Sequence, residues 1–485
     1  MSPLLSVSAS RSRHEYHAPT ACLLVGGLRL TLGAFALAMA SGAQAYIAVG
    51  PHGSYATIQD GVNQAIAVGG DEVRVELKCF VGCPYAENVS INTGVSVQLS
   101  GGWASDFQSQ ISTLGSPVTG SGGDAPIMRV IAHDSAIVSV SRFNLDGSGN
   151  AAGNTTRGLL VGAQNNASIV VADNRISGNS LNTITALPPA GGAGVAVQAT
   201  DSAYISLAGN TIQSNYLYGA DSQSAYGGGA FVATIGSGHV DFVLNTVTGN
   251  FSNNTAGGGC RGGGLWAASL DTSSMQLRGN TYSGNGQFAC NNGATGDAAE
   301  IDATNTAIVQ VYDETWTNNS VPNDPGVYEV FMQADVSSQI LAQNGLITHG
   351  TWGGLFANSI ASGTINISNY TIADNPVLGY NGFGGGTQLW NSVLWNDGTA
   401  YALNTGATFA YCLYAADPVF IDAANGNYRL SAGSPAINTG SNSPTGGLRT
   451  FDLDGSPRPF GSIADIGAYE WRPDANDLIF ADGFE

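Results

Sequence analysis

Side chains that could catalyse a reaction are sparse in this sequence of 485 residues. Cleavage of a glycosidic bond needs two carboxyl groups on one face of a protein, and no two aspartates are adjacent in the chain. Elimination needs a basic group that accepts a proton, yet the single lysine is Lys78. Three histidines are far apart in the sequence and are interpreted as isolated residues: His133, His239 and His349. No motif indicates a Ser-His-Asp triad, although the sequence does not exclude one. The sequence therefore predicts no catalytic residues, no metal ion and no cofactor.

Aromatic side chains could bind a ligand, since the apolar faces of sugar rings stack on aromatic rings. Tyr216, Tyr218 and Tyr226 share one segment, and Trp266 begins a strand that follows nearby. Packing of this segment against the rest of the protein is the simpler interpretation. These four residues are the possible ligand contacts that the sequence offers.

A repeat of about 35 residues must position these side chains. Four similar six-residue motifs, among them NTIQSN and NTVTGN, end at Asn179, Asn215, Asn250 and Asn285. Each unit contains a glycine-led apolar strand, a strand of alternating polarity, an asparagine turn and a third short strand. Three short strands per unit without a helix are typical of one coil of a parallel β-helix. We therefore predict an all-β solenoid, a parallel β-helix over residues 71–412 with roughly ten coils.

Equivalent residues of successive coils lie directly over one another in such a stack. Asparagine tolerates the left-handed conformation of a sharp turn, and stacked asparagine amides hydrogen-bond along the stack. Ligand binding by these asparagines is the alternative. The predicted buried ladder contains Asn174, Asn210, Asn245 and Asn280. The predicted inward stack two residues later contains Ile176, Ile212, Val247 and Tyr282, with a position at the rim as the alternative for Tyr282.

Insertions of different length follow the closing asparagines, at residues 216–227, 251–263 and 286–298. They leave equivalent points of successive coils, so they lie side by side on one flank, which in repeat proteins is often the binding face. Cys260 and Cys290 lie in two adjacent insertions. Because neighbouring coils are about 4.8 Å apart, these two cysteines are predicted to form a disulfide.

One helix is predicted at residues 54–67, within an N-terminal cap at residues 46–70. Ile58, Val62 and Ile66 share one helical face, and Thr57 with Asp60 forms a capping pattern. The alternation of residues 71–78 then predicts a half-buried strand. The helix is expected to close the open end of the shaft.

The N-terminal residues 1–45 read as a signal peptide. Arg29 precedes an apolar run that ends in Ala-Gln-Ala, which predicts cleavage after Ala45. A transmembrane anchor is the alternative, for which the run is short. Without this segment the chain carries 12 basic and 34 acidic residues. Such a surface repels nucleic acid and anionic lipid, so we expect no nucleic-acid partner. No other segment of the sequence reads as membrane-spanning, so we expect no transmembrane segment after removal of the signal peptide.

Export would allow the cysteines after Ala45 to oxidise. Cys79 and Cys83 are predicted to form a second, tighter bridge. Cys412 is then left single and is expected to be buried. A zinc site is a weaker reading, because no second close pair of ligands accompanies Cys79 and Cys83.

The N-terminal part resembles secreted right-handed parallel β-helix proteins of the pectin-lyase-like superfamily. In that family a helix caps the shaft and a G-x-Y-x-E-N-V segment starts the first coils, so we expect a right-handed coil here. The galacturonases of the superfamily carry an adjacent Asp-Asp, a Gly-His-Gly and an Arg-x-Lys, which this chain lacks. The matching residues are Gly82, Tyr85, Glu87, Asn88 and Val89.

Residues 413–472 resemble the choice-of-anchor Q domain, a small C-terminal domain that follows β-helices in bacterial exported proteins. The family usually has aspartate where this chain has Asn438. The tail 473–485 is similar to short endings of other bacterial secreted proteins and reads as a sorting segment. The matching residues are Asp417, Pro418, Tyr428, Leu430, Ser434, Pro435, Ala436, Ile437, Gly440, Asp454, Gly455, Arg458, Asp465, Gly467 and Glu470.

These observations favour a non-catalytic protein, exported to the bacterial cell surface or secreted, that displays loops for adhesion or for binding polysaccharide or other cell-surface components. A polysaccharide lyase or glycoside hydrolase with a divergent site is the alternative. A carboxylate pair, or a carboxylate cluster with arginine, converging on one face would favour the enzyme. The sequence predicts no oligomeric state.

Overall fold

The computed structural model describes ten ranges of the chain between Tyr46 and Pro473. The predicted signal peptide with cleavage after Ala45, and the tail from residue 474 onward, lie outside the described residues. No helix within the described ranges is long and apolar enough to cross a membrane. The ranges are 46–79, 82–111, 115–121, 125–148, 156–182, 191–219, 224–255, 257–290, 293–319 and 326–473.

The described chain coils into a right-handed parallel β-helix, which confirms the predicted fold class. Two long parallel sheets form its walls, one of 21 strands and one of 11 strands. Alternate side chains of these strands fill one continuous apolar core along the shaft. The first coils contain helix α1 (Ile58–Ala67) and strands β1 (Tyr46–Val49), β2 (Glu72–Glu76), β3 (Val89–Thr93), β4 (Val97–Trp103), β5 (Ser116–Val118), β6 (Met128–Ala132), β7 (Ile137–Ser141) and β8 (Phe143–Asp146).

Helix α1 packs against the first strands at the N-terminal end of the shaft. The side chain of Thr57 accepts a hydrogen bond from the backbone N–H of Asp60 at 3.1 Å, which confirms the predicted cap. The helix begins at Ile58 and not at residue 54, because the residues before it form turns and an isolated bridge through Tyr55. Strand β1 precedes the helix and pairs in parallel with β2, so the predicted cap also contributes a strand to the shaft.

Five coils between Leu159 and Thr317 form the repeat. Each places one strand in the 11-stranded sheet and two strands, separated by a corner, in the 21-stranded sheet. The three short strands predicted per unit are therefore confirmed. The strands of this region are β9 (Leu159–Ala163), β10 (Ser168–Ala172), β11 (Arg175–Ser177), β12 (Ser180–Asn182), β13 (Val195–Ala199), β14 (Tyr204–Ala208), β15 (Thr211–Gln213), β16 (Tyr216–Gly219), β17 (Ala225–Tyr226), β18 (Ala230–Thr234), β19 (His239–Val243), β20 (Thr246–Thr248), β21 (Phe251–Asn254), β22 (Cys260–Arg261), β23 (Leu265–Ser269), β24 (Ser274–Arg278), β25 (Thr281–Ser283), β26 (Gly286–Phe288), β27 (Ala294–Thr295), β28 (Ala299–Ala303), β29 (Ile308–Tyr312) and β30 (Thr315–Thr317).

Two asparagine ladders run along the corners of these coils. Asn210 Oδ1 accepts hydrogen bonds from the backbone N–H and the amide of Asn174 at 3.0 and 3.1 Å, and the pattern repeats in later coils. The predicted ladder and the buried stack that ends in Tyr282 are confirmed. The left-handed residue is the one before each ladder asparagine, such as Gly209 at φ 66° and Leu244 at φ 55°, so its predicted location was wrong. The second ladder contains Asn179, Asn215, Asn250, Asn285 and Asn319.

The insertions form sheets of their own. Strands β12, β16, β21 and β26 make a four-stranded parallel sheet, and β17, β22 and β27 make a three-stranded one. Their backbones meet because the insertions leave equivalent points of neighbouring coils. The predicted disulfides are present, with Cα atoms 5.6 Å apart for Cys260–Cys290 and 5.7 Å apart for Cys79–Cys83. Cys412 is unpaired and half-buried.

The later coils are shorter than those of the repeat. Paired strand residues lie 25 positions apart from Tyr328 to Gly353, and 22 positions apart from Thr371 to Val393. The strands here are β31 (Tyr328–Ala334), β32 (Gln339–Thr348), β33 (Gly353–Ser359), β34 (Thr364–Ala373), β35 (Leu378–Phe383), β36 (Thr387–Trp390), β37 (Val393–Trp395), β38 (Tyr401–Asn404) and β39 (Thr408–Ala410).

Residues 414–473 fold back against the side of the shaft. Their regular elements are the antiparallel pair β40 (Phe420–Asp422) and β41 (Asn427–Leu430), joined by the 3₁₀-helix Ala423–Asn425. Arg458 donates to the side-chain oxygen of Asn344 at 2.8 Å, and apolar residues of this segment pack on the later coils. We call residues 414–473 the C-terminal segment.

Candidate functional site

The outer face of the 11-stranded sheet presents a row of aromatic rings. Alternate residues of its strands point away from the core, and the parallel register aligns them along the shaft. We call one such row the outer column. It contains, in order, Phe231, Trp266, Glu300, Phe331 and Phe356.

The rings of the outer column contact one another in two groups, one on each side of Glu300. The ring centroids of Phe231 and Trp266 are 4.7 Å apart, and those of Phe331 and Phe356 are 4.8 Å apart with ring planes 5° from parallel. Trp266, Phe331 and Phe356 are half-buried, so part of each ring faces solvent. The column thus offers two aromatic platforms.

A carboxylate pair, Glu300 and Asp302, occupies the interval between the platforms. Both residues lie in β28, whose sequence AEIDA directs Ala299, Ile301 and Ala303 into the core and the two acids outward. Glu300 is fully buried by its neighbours on the outer face, and Asp302 is half-buried. The alternation of the strand is therefore what brings the two carboxyl groups together.

Three side chains bind this carboxylate pair. Arg261 Nη1 donates to Glu300 Oε1 at 2.7 Å, and the hydroxyl of Thr295 donates to the other oxygen of Glu300. The indole N–H of Trp266 donates to Asp302 Oδ2 at 3.2 Å. In the part of the chain that the structure describes, Asp302 Oδ1 is buried without a hydrogen-bond partner, and no third metal-ligating side chain completes a metal site.

Burial changes the protonation of the pair. It raises the pKa of Glu300, although the charge of Arg261 opposes the rise. Burial and then the neighbouring Glu300 carboxylate raise the pKa of Asp302 well above its usual range. Each carboxyl group therefore keeps its proton to a higher pH than a free carboxyl group does, while the charge of Arg261 favours the ionised form of both. A protonated carboxyl beside an ionised one can donate a proton to a leaving oxygen atom.

The three-stranded sheet supplies the other side of the site. Tyr226, Arg261 and Thr295 are consecutive partners across this sheet. The ring of Tyr226 meets that of Trp266 edge-to-face at 4.9 Å. Arg261 directly follows Cys260, so the disulfide between neighbouring insertions holds the strand that carries the guanidinium group.

The predicted ligand contacts fall into two separate patches. Tyr226 and Trp266 lie in the site just described. Tyr216 and Tyr218 lie on the four-stranded sheet, exposed by 37% and 41%, where Tyr216 stacks on Phe251 with ring centroids 5.4 Å apart. The insertion flank therefore carries aromatic rings as expected, but the four residues do not form one surface.

Glu300, Asp302 and Arg261 were missed as a group by the sequence analysis. A signal was present, because the glycine-led strands of the other units have no charged residue at the two outward positions, as in Trp266 with Ala268 and Ala196 with Gln198. Two acids at those positions depart from the repeat. The partnership with Arg261 depends on how the insertion folds, which the repeat does not show.

Comparisons with known proteins add the following. No family model and no curated protein matches the chain. The chain is similar to the A-module of the Azotobacter vinelandii mannuronan C-5 epimerase AlgE6, at 16% identity and a TM-score of 0.42, over 74% of this chain and 94% of that one. The AlgE4 A-module of the same organism gives 14% identity and a TM-score of 0.36, over 74% and 92%. The tailspike protein gp49 of the Acinetobacter baumannii bacteriophage Fri1, a capsular polysaccharide depolymerase, gives 11% identity and a TM-score of 0.33, over 76% and 62%. Similarities at this level assign no function to the chain.

Proposed function

We propose that the protein binds a polysaccharide along the outer column. The observation that carries this proposal is the pair of aromatic platforms on one outer face of the shaft. Sugar rings stack their apolar faces on such platforms. Trp266 and Phe331 are two coils apart, about 10 Å along the shaft, so one extended polymer can contact both. Arg261 and Asp302 lie between them and offer hydrogen bonds to sugar hydroxyl groups.

The charge of the protein favours a neutral polymer. The formal net charge is −20, and the site itself contains two carboxyl groups. Such a surface raises the free energy of bringing an anionic chain close. An uncharged polysaccharide is therefore the class of ligand that fits this surface best.

We also propose that the protein is exported and held at the cell surface or in the extracellular matrix. The apolar run that ends at Ala45 supports a cleaved signal peptide, and the two disulfides are consistent with an oxidising compartment. Residues 413–472 are proposed as a choice-of-anchor Q-like domain and residues 473–485 as a sorting tail. The division into a cap at 46–70 and a shaft at 71–412 belongs to the same proposal.

Hydrolysis of the bound glycan is a second candidate function. The carboxylate pair with Arg261 on one face is the feature that distinguishes an enzyme from a binding protein. Asp302 would protonate the leaving oxygen. Glu300 is fully covered by its hydrogen-bond partners, so it would have to be uncovered before it could act. Binding without cleavage is therefore the preferred function.

The chain after Ala45, incubated with a panel of neutral and anionic polysaccharides, tests both functions. We expect binding of a neutral polymer, weakened roughly tenfold by Trp266→Ala and by Phe356→Ala, because each removes one platform ring. Tyr216→Ala is the matched control on the other aromatic patch and should leave the affinity unchanged. Equal loss with Tyr216→Ala, or unchanged affinity of the two column variants, would contradict the proposed site.

The same incubation measures the release of reducing ends. A binding protein releases none. Release that is abolished by Asp302→Asn but leaves the affinity intact would establish the hydrolase instead.

A further inference from the structure

A serine, a histidine and an aspartate form a hydrogen-bonded chain on the outer face of the 21-stranded sheet. Ser274 Oγ lies 2.7 Å from His239 Nδ1, and His239 Nε2 lies 2.9 Å from Asp241 Oδ1. Tyr204 donates its hydroxyl to the other oxygen of Asp241 at 2.6 Å. All four side chains are half-buried, so the chain of groups is accessible to solvent.

The register of the sheet places these groups. Tyr204, His239 and Ser274 are direct partners on β14, β19 and β24. Asp241 lies two residues after His239 on the same strand and therefore on the same face. The ring of Tyr204 lies parallel to the imidazole, with centroids 5.7 Å apart and planes 5° apart. The imidazole is thus held on three sides by rigid strands.

Hydrogen bonding decides which nitrogen of His239 is basic. Burial alone would raise the pKa of Asp241, but the hydrogen bonds from His239 and Tyr204 and the nearby charge of Arg278 lower it. An ionised Asp241 accepts the proton on Nε2, so Nδ1 carries the lone pair and faces the hydroxyl of Ser274. A base oriented by a third group beside a hydroxyl is the arrangement that activates a serine nucleophile.

We propose that Ser274 is a nucleophile, that His239 is its general base, and that Asp241 is a positioning residue, in a site that hydrolyses carboxylic esters with short acyl groups. The outer face of a sheet can reach an ester carried on an extended polymer, such as an O-acetylated polysaccharide. The nearby outward residues Ser206 and Gln276 are polar, and the apolar side chain beside Ser274 is the exposed Ile308, its direct partner in the next coil. One such side chain offers contact to a short acyl group but no channel for a long acyl chain. The polymeric half of this substrate rests on the proposed glycan binding, whereas the ester chemistry stands without it.

The reaction balances with water as the only co-reactant. Ser274 Oγ bonds to the acyl carbon while its proton passes to His239 Nδ1. The bond from that carbon to the sugar oxygen then breaks, and the sugar oxygen takes the proton from His239. A water molecule, deprotonated by the same nitrogen, attacks the acyl carbon, and the bond from that carbon to Ser274 Oγ breaks. Ser274 Oγ takes the proton back from His239, and the carboxylic acid leaves.

Gln276 is the candidate donor to the oxyanion. The backbone N–H groups of β24 are engaged in the parallel ladder, so a side chain must supply the donor. Gln276 lies on the same strand and face as Ser274, and its Nε2 donates one of two hydrogens to Gln310 at 3.2 Å. The second hydrogen can point towards an acyl oxygen on Ser274.

The test uses the chain after Ala45 with two probes, a fluorophosphonate that labels activated serines and p-nitrophenyl acetate. We expect one covalent adduct, which peptide mapping places on Ser274. We also expect ester hydrolysis that falls at least 100-fold in Ser274→Ala and in His239→Ala, as for other nucleophile and base deletions. Asp241→Asn should lower hydrolysis and labelling while the fold is retained.

Two controls separate this site from background reactivity. Ser168→Ala removes a serine from the same outward row, and His133→Ala removes a half-buried histidine that also bonds an aspartate, Asp134. Both variants should keep full activity. Absence of an adduct on Ser274, or hydrolysis that survives in Ser274→Ala, overturns the proposal. Hydrolysis of the small ester without any glycan binding would contradict the proposed polysaccharide binding and would still support the ester site.

Discussion

The corners of the repeat coils and those of the later coils use asparagine in opposite ways. In the repeat, ladder asparagines such as Asn210 and Asn245 face inward and bond to one another. In the later coils Asn344, Asn369 and Asn391 stand one position earlier, at φ 58°, 58° and 49°, and bond to the C-terminal segment. The same residue type therefore stabilises either the stack of coils or the attachment of a second unit.

The inward corner position, which asparagine occupies throughout the repeat, holds other residues in the later coils. The ladder ends at Glu314, whose Oε1 accepts two hydrogen bonds from Asn280 at 2.8 and 3.1 Å. In the next coils the position is Gly345 and Tyr370, and the glycine leaves the space that the tyrosine ring fills. A ladder whose asparagines all donate in one direction needs an acceptor at its end, and a carboxyl group provides it.

The largest effect is expected from breaking the ladder in its middle. Asn245→Ala removes the acceptor of two hydrogen bonds from Asn210, and it removes the amide that donates to Leu207 O and to Asn280. The backbone N–H of Asn210 is left buried and unpaired, whereas its side-chain amide keeps the bond to Val171 O. The free energy of unfolding should fall by roughly 4 kcal/mol, measured by chemical denaturation. Asn253→Ala, a half-buried outward position in the same coil, is the control and should change it by less than about 0.5 kcal/mol. Similar losses in both variants would remove the distinction between inward and outward asparagines.

The ladder terminus predicts a pH dependence. Burial raises the pKa of Glu314 from 4.5 to about 8. The folded protein binds this proton more tightly than the unfolded chain, so the contribution to stability is complete below pH about 4.5 and is lost as the pH rises to about 8. Glu314→Gln keeps a hydrogen-bond acceptor without a charge. In this window it should reduce the slope of the free energy of unfolding against pH by up to about 1.4 kcal/mol per pH unit.

Thermal unfolding of Glu314→Gln between pH 5 and pH 8 measures this slope. Other buried carboxyl groups whose pKa values are raised by burial, among them Glu329, Asp397 and Asp302, should contribute a further dependence in the same direction. Asp106→Asn, at an exposed carboxyl, serves as the control. An unchanged slope in Glu314→Gln would show that the ladder terminus does not titrate in this range.

The smallest effect is expected at the outward asparagines. Asn344→Ala removes hydrogen bonds to Phe451 and Arg458 in the C-terminal segment, and one to Asp313 within the shaft, and it should lower the free energy of unfolding by about 1–2 kcal/mol. Asn396→Ala is matched, because Asn396 is also left-handed, at φ 55°, and among the residues that the structure describes its side chain bonds to Asp374 of the shaft and to none of the C-terminal segment. The amount by which Asn344→Ala lowers the free energy of unfolding beyond Asn396→Ala measures the attachment of the C-terminal segment to the shaft. It should be accompanied by faster proteolysis within residues 440–460. Equal losses and equal proteolysis would mean that Asn344 does not attach the segment.

The fold and the inward contacts were open to prediction from the sequence. A repeat of constant length puts equivalent residues over one another, so the ladder from Asn174, the stack that ends in Tyr282 and the Cys260–Cys290 bridge follow from the alignment alone. Even the contact of His239 with Ser274 joins equivalent positions 35 residues apart. Period is a property of sequence, and in a parallel stack it translates directly into contact.

Only the tertiary structure decided the contacts that cross from one sheet to another. Arg261 reaches Glu300 because its insertion folds into a small sheet beside the outer column, and insertion lengths vary from coil to coil. The separation of Tyr216 from Trp266 has the same cause. The pairing of Asn344 with Arg458 joins residues 114 positions apart that share no repeat. Local pattern specifies register along the stack, whereas the free energy of packing between elements selects which side chains meet around it.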